Sequence, residues 1–150
     1  TEILRTGSVK QETQNPIHAF NYMQAASNLE RIADHAHRIA QIAREYNCTL
    51  ADDLKEELMD MEVQLCGFID DAISYLLQTN SDKANEMIDL IREIQKSAAR
   101  ITVTSDSLGK SEMLERLVLA ASLERMFDYI MNIGELTINL SHSTKQAEKG

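Results

Sequence analysis

Two pairs of carboxylates stand four residues apart in the sequence, Glu30 with Asp34 and Glu124 with Asp128. Residues at this spacing are neighbours on the surface of an α-helix, with Cβ atoms roughly 5–6 Å apart, so the two negative charges repel unless a cation lies between them. Carboxylate oxygens are suitable ligands for hard and borderline metal ions. Each pair therefore predicts half of a metal site.

The surrounding residues distinguish these pairs from other acids at the same spacing, such as Glu56 with Asp60. Residues 29–39 and 123–133 share the pattern L-E-R-x-x-D-x-x-x-x-I, and the two copies are 94 residues apart. An internal repeat of this kind indicates that a structural unit has been used twice. The alternative interpretation is that both pairs lie on solvated helix faces, where the neighbouring arginine offsets their charge.

The composition limits the class of protein. The chain has 24 acids against 15 bases, a net charge of −9, and its Lys and Arg form no run, so we expect no direct binding of nucleic acid. No apolar stretch approaches the ~20 residues that span a bilayer, which favours a soluble, cytoplasmic protein without membrane insertion. Cys48 and Cys66 lack metal-site spacing and are interpreted as ordinary thiols.

Apolar residues recur at steps of three and four along most of the chain, which predicts four long helices. We expect the first helix from Asn15-Pro16 to about Tyr46 and the second from about residue 52 to Thr79-Asn80. The third should continue from there to about residue 101, and the fourth should extend from about residue 111 to 141. Short connections make an up-and-down antiparallel bundle the expected all-α fold. The predicted domain is residues 15–141, between a flexible segment at 1–14 and a frayed polar tail at 142–150.

The apolar stripes also predict which side chains are buried. In the first helix the stripe includes Phe20, Met23 and Ile32, and in the fourth it directs Leu117 and Phe127 inward. Asn80 or Ser81 is expected to cap the third helix.

Residues 29–36, followed by Ile39 and Ala40, resemble the signature L-E-R-I-G-D-H-A-x-x-I-A of the PhoU family of phosphate-uptake regulators, with Ala33 in place of the usual Gly. The second copy keeps both acids but has bulky Phe127 at the small position, and residues 134–139 are similar to the tail of archaeal members. A complete member has two three-helix units, each ending in a motif helix. The resemblance therefore implies a fragment, containing the last helix of the first unit and the whole second unit, and some archaeal relatives carry an AbrB-like DNA-binding domain upstream.

The resemblance implies that Glu30, Asp34, Glu124 and Asp128 bind iron or zinc, in some relatives as multinuclear clusters. It also implies a non-enzymatic regulator and a homodimer, whose partners are the ATPase subunit of the phosphate ABC importer and, in bacteria, a sensor kinase. His37 follows Asp34 at acid-x-x-His spacing, but Met131 replaces it in the second copy, so we expect His35 and His37 to have surface or capping roles.

Two alternatives remain open. A ferritin-like oxidase or storage bundle would need acid-x-x-His motifs on two helices, and the sequence offers one imperfect instance. A plain helical dimerisation module of a transcription regulator would leave all the acids solvated. Metal content separates the dimerisation module from the leading interpretation, and oxygen consumption or ferroxidase activity would favour the ferritin-like bundle.

Overall fold

The computed structural model describes residues 16–45, 52–98 and 109–147. These form four helices: α1 (Pro16–Glu45), α2 (Asp52–Gln78), α3 (Ser81–Ala98) and α4 (Lys110–Ala147). The described part of the chain contains no strand, which confirms the all-α prediction. No described helix has an apolar stretch of the length that crossing a membrane requires. The predicted segment at 1–14, the Asn15 cap and Cys48 lie outside the described residues. So does most of the segment at 102–110, which its Ser, Asp and Gly residues predict to be a loop and in which α4 already begins at Lys110.

A two-residue turn reverses the chain between α2 and α3. Thr79 adopts a left-handed conformation with φ of 54°, and the backbone N–H groups of Thr79 and Asn80 donate to the carbonyls of Leu76 and Tyr75. This is the Schellman arrangement, which ends a helix by satisfying its last carbonyls. Asn80 Oδ1 then accepts a hydrogen bond from Lys83 N at 3.2 Å, so the predicted cap of the third helix is confirmed.

Helices α2, α3 and α4 pack together around an apolar core. α3 is antiparallel to α4, because Ser81 lies next to Ser141 at one end and Gln95 next to Asp128 at the other. The described apolar residues at three- and four-residue steps along α2 and α3 are buried or half-buried. Phe127 turns fully inward, as predicted, against the edge of the Phe68 ring. The fully buried residues of this core include Ala72, Ala84, Ile91, Phe127, Ile130 and Ile133.

Helix α1 packs antiparallel along α4, and its backbone runs close to no other described helix. Ala25 and Ile32 are buried there, whereas Phe20 is 59% exposed and Met23 is 71% exposed. The expectation that the whole α1 stripe packs inward is therefore wrong at its N-terminal half. Leu117 of α4, predicted inward, is also 44% exposed. One neighbouring helix covers only one side of α1, so a broad apolar stripe remains partly uncovered.

The C-terminal end of α4 differs from the prediction of a frayed tail. The helix continues past Ser141 to Ala147. The hydroxyl groups of Ser143 and Thr144 donate to the carbonyls of Asn139 and Leu140, four residues earlier. These bonds keep the polar side chains on the helix itself, so polarity alone does not end it.

Candidate functional site

The two copies of the repeat lie side by side on α1 and α4. His35 and Tyr129 hold the same position in the two copies, and their ring centroids are 5.9 Å apart. Asn132 lies one turn after Tyr129 on α4, and Asn28 lies two turns before His35 on α1. Asn132 Nδ2 donates to Asn28 Oδ1 at 3.2 Å. The two contacts show that the helices are antiparallel, and His35 with Tyr129 is an equivalent pair of the repeat that meets across the interface.

The second acid pair is held by neighbouring side chains. Gln95 Nε2 of α3 donates to Asp128 Oδ1 at 3.0 Å and approaches the Glu124 carbonyl oxygen at 3.4 Å. Arg125 Nη1 lies 3.4 Å from Asp128 Oδ2, and the Asp128 side chain retains 35% of its exposure. Both oxygens of this carboxylate therefore already have donors, whereas the Glu124 side chain is exposed.

The first acid pair is in a different environment. Glu30 and Asp34 are both exposed, and neither makes an ion pair or side-chain hydrogen bond with the described residues. Arg31, the equivalent of Arg125, does not reach Asp34 but lies over the Tyr129 ring, 5.7 Å from its centroid. The repeated motif therefore has one aspartate that is bonded to its arginine and one that is bonded to no described residue.

The structure does not bring the four predicted ligands together. Within the described ranges, no three His, Cys, Asp or Glu residues are close enough to share a metal ion. Each helix offers two carboxylates, whose oxygen donors are chemically suitable for a hard or borderline cation but do not complete a coordination shell. Phe127 is buried, so its bulk lies away from the exposed acids of α4.

The histidines lie mainly at packing or surface positions. His37 and His142 are exposed, and His18 contacts the edge of the Tyr22 ring. His35 is half-buried against Tyr129, so its position is at the helix interface rather than the surface or a cap as expected. None belongs to a metal-binding group among the residues described.

Sequence reasoning missed two residues that shape the site. Gln95 belongs to a helix without a copy of the motif, and only the packing of α3 on α4 places its amide at Asp128. Tyr129 follows the motif aspartate and contacts Arg31 and His35 across the helix interface. The signal for Tyr129 was its equivalence to His35 in the repeat, since equivalent positions on antiparallel helices meet at a two-fold axis.

A cleft of about 310 Å³ lies between α1 and α4. Its walls are mostly polar and include Arg31 from the first motif and Glu135 from α4. Neither of these charged side chains forms an ion pair with the described residues.

Comparison with known proteins supports the resemblance seen in the motifs. The PhoU domain family matches residues 2–43, a range that contains the first acid pair. The "Phosphate-specific transport system accessory protein PhoU homolog" of Clostridium acetobutylicum is 26% identical over 127 residues, which cover 81% of this chain. The chain spans 58% of the length of that relative. No solved structure matches significantly. The family match and the relative agree that this chain is similar to PhoU proteins, and the all-helical fold agrees with the fold expected from that resemblance.

Proposed function

We propose that this chain is a non-enzymatic, cytoplasmic regulator of phosphate uptake that acts by contacting proteins of the phosphate transport system. The observation that carries the proposal is the similarity to an accessory protein of phosphate-specific transport, which extends over most of the chain. The first copy of the motif supports it, because the family match at residues 2–43 contains that copy. The proposed partners are the importer's ATPase subunit and a sensor kinase.

The contact proposal is tested in the organism that carries the gene. An affinity-tagged copy should retain the importer's ATPase subunit in a pull-down. Deletion of the gene should leave phosphate uptake high in phosphate-rich medium, and the tagged copy should restore repression. Uptake that is unchanged by the deletion, together with no recovery of the ATPase subunit, would contradict the proposal.

Metal binding is the second part of the proposal. Glu30 with Asp34 and Glu124 with Asp128 would each supply carboxylate oxygens to iron or zinc, and the remaining ligands would come from water or another protein chain. The carboxylates of the first pair form no ion pair with any described residue, which favours that pair as the stronger site. A bound ion would offset the repulsion between the two acids.

Elemental analysis of the purified protein tests this part. We expect iron or zinc after purification or soaking, and we expect the double substitution Glu30→Ala with Asp34→Ala to remove much of it. Glu56→Ala with Asp60→Ala is the matched control, because that pair has the same spacing and is exposed on α2. Equal metal content in the wild type and both variants, or no metal after soaking, would exclude the site. Oxygen consumption by the iron-loaded protein would favour the ferritin-like alternative.

We also propose that the protein forms a homodimer through the N-terminal half of α1. Ile17, Phe20 and Met23 are at least half exposed there. Residues 16–23 contain no Asp, Glu, Lys or Arg, so two copies with a net charge of −9 can meet along this surface without opposing like charges. Sedimentation should show a dimer that Phe20→Glu dissociates. Val63→Glu, at an exposed apolar position of α2, is the control, and equal effects of both substitutions would contradict this interface.

A further inference from the structure

The cleft between α1 and α4 contains two charged side chains of opposite sign. The Arg31 guanidinium lies over the Tyr129 ring on one side of the cleft, and Glu135 lines it further along α4. Six residues separate Tyr129 from Glu135, which corresponds to about 9 Å along a helix. The cleft therefore offers a cationic and an anionic contact at separate points of one groove.

The comparison of the two motif arginines indicates that Arg31 is available to a ligand. Arg125 pairs with Asp128 within its own motif, so its charge is already partly neutralised. Arg31 makes no ion pair or hydrogen bond with any described residue. Its contact with the Tyr129 ring restrains the side chain while leaving the guanidinium N–H groups available for an oxyanion.

Side-chain amides line the groove along its whole length. Gln24 and Asn28 are contributed by α1, and Asn132 and Asn139 by α4. An amide side chain carries both donors and an acceptor, so it can bond to the N–H and C=O groups of a peptide. Asn132 uses one N–H for Asn28 and keeps its oxygen, while Gln24 and Asn139 use no side-chain group on a described partner.

The dimensions of the groove fit an extended chain. From Tyr129 to Asn139 the groove extends ten residues along α4, or about 15 Å. An extended peptide advances roughly 3.3 Å per residue, so four or five residues fill that length. Residues three apart in such a peptide are about 10 Å apart, close to the separation of the two charges.

We propose that this groove binds an extended segment of a partner protein, in which an acidic residue for Arg31 and a basic residue for Glu135 are three positions apart. Amides of the groove bond to the peptide backbone, with Asn28 and Asn132 between these two contacts and Gln24 and Asn139 further along. The inference rests on the proposed function only in that the partner is a protein. Peptide binding is measured without any transport component, so the two proposals fail separately.

The test is an NMR titration of the ¹⁵N-labelled protein with blocked tetrapeptides. The probes are acetyl-Glu-Ala-Ala-Lys-amide and acetyl-Lys-Ala-Ala-Glu-amide, because either chain direction satisfies the charges, and the blocked tetra-alanine peptide is the neutral control. We expect one charged peptide to shift the side-chain amide signals of Asn132 and Asn139 with an affinity about fivefold or more above that of the control. Equal affinity for all three peptides, or no shift at millimolar concentration, would overturn the proposal.

Substitutions at equivalent positions locate the binding. Arg31→Gln should lower the affinity for the charged peptide about fivefold. Arg125→Gln, at the same position of the other copy, should leave that affinity unchanged. Equal weakening by both would overturn the assignment to this groove. Glu135→Lys should bind acetyl-Glu-Ala-Ala-Glu-amide more tightly than the peptide with one acidic and one basic residue. Loss of folding cannot produce such a gain in affinity. Absence of that gain in a folded variant would exclude the contact with Glu135.

Discussion

His35 and Tyr129 are equivalent residues of the repeated motif, and they contact each other across the interface of α1 and α4 with ring centroids 5.9 Å apart. If an exact two-fold axis related the copies, every neighbouring residue would have the same contacts in both, as in a symmetric dimer. The neighbouring residues do not follow such symmetry. Arg31 stacks on Tyr129, whereas Arg125 pairs with Asp128, so the two copies have different chemical environments.

The ring contact should contribute measurable coupling to stability. We expect the double variant His35→Ala with Tyr129→Ala to lose less unfolding free energy than the sum of the losses in the two single variants. The difference, which is the coupling energy, should be about 0.5–1.5 kcal/mol. Chemical denaturation of the wild type, the two single variants and the double variant measures it. The exposed His37 provides the control, because His37→Ala should show no coupling with Tyr129→Ala. Similar coupling for both histidines would contradict a specific ring contact.

Substitution by alanine should change the free energy of unfolding differently at two helical glycines. A Cβ atom at Gly67 would meet nothing within 4 Å, whereas one at Gly134 would lie 3.0 Å from Ile88 Cδ1 and 3.1 Å from Met87 Cε. Gly67→Ala should raise the free energy of unfolding by about 1 kcal/mol, the usual helix-propensity gain. At Gly134 the contacts with α3 should cancel that gain or reverse it. Denaturant unfolding compares them, and an equal rise at both positions would show that α3 does not pack closely on Gly134.

Thr79 is a β-branched residue in a left-handed conformation, which costs an ordinary side chain on the order of 1 kcal/mol or more. Glycine adopts this conformation without steric conflict and is the usual residue at the end of a helix. Thr79→Gly should therefore raise the free energy of unfolding by about 0.5–1 kcal/mol, despite the greater flexibility of the unfolded chain. Thr79→Ala retains Cβ and should gain less. A lower unfolding midpoint for the glycine variant than for the wild type would contradict strain at this turn.

Local periodicity was sufficient to predict most of the helical fold. The stripes of α2 and α3, the cap at Asn80 and the inward position of Phe127 all follow from local residue types and spacing. Phe20 and Met23 were placed wrongly because periodicity identifies a helix and its apolar face but not which neighbours cover that face. The tail beyond Ser141 was wrong for a related reason, since serine and threonine hydroxyls can bond to their own helix.

The candidate site was less predictable than the fold. The repeat identified both acid pairs, and their metal binding stays a prediction. Nothing in the local sequence indicated that Asp128 would be bonded to Gln95, 33 residues earlier, while Asp34 would have no described partner. That difference depends on α3 packing against α4, a tertiary contact that the two motifs do not encode.

The same difference predicts that the second acid pair binds metal more weakly than its sequence implies. A cation at Asp128 must compete with Arg125, which lies 3.4 Å from the carboxylate and repels other positive charges. In a protein carrying Glu30→Ala and Asp34→Ala, which isolates the second pair, Arg125→Gln should strengthen zinc binding about threefold to fivefold, as expected for loss of an exposed ion pair. Isothermal titration calorimetry measures the change.

Arg92→Gln, which removes an exposed partner of Asp89 on α3, is the control for altered net charge. If both substitutions strengthen binding equally, overall charge rather than release of Asp128 is responsible, and unchanged affinity in both would show that Arg125 does not restrict the second pair.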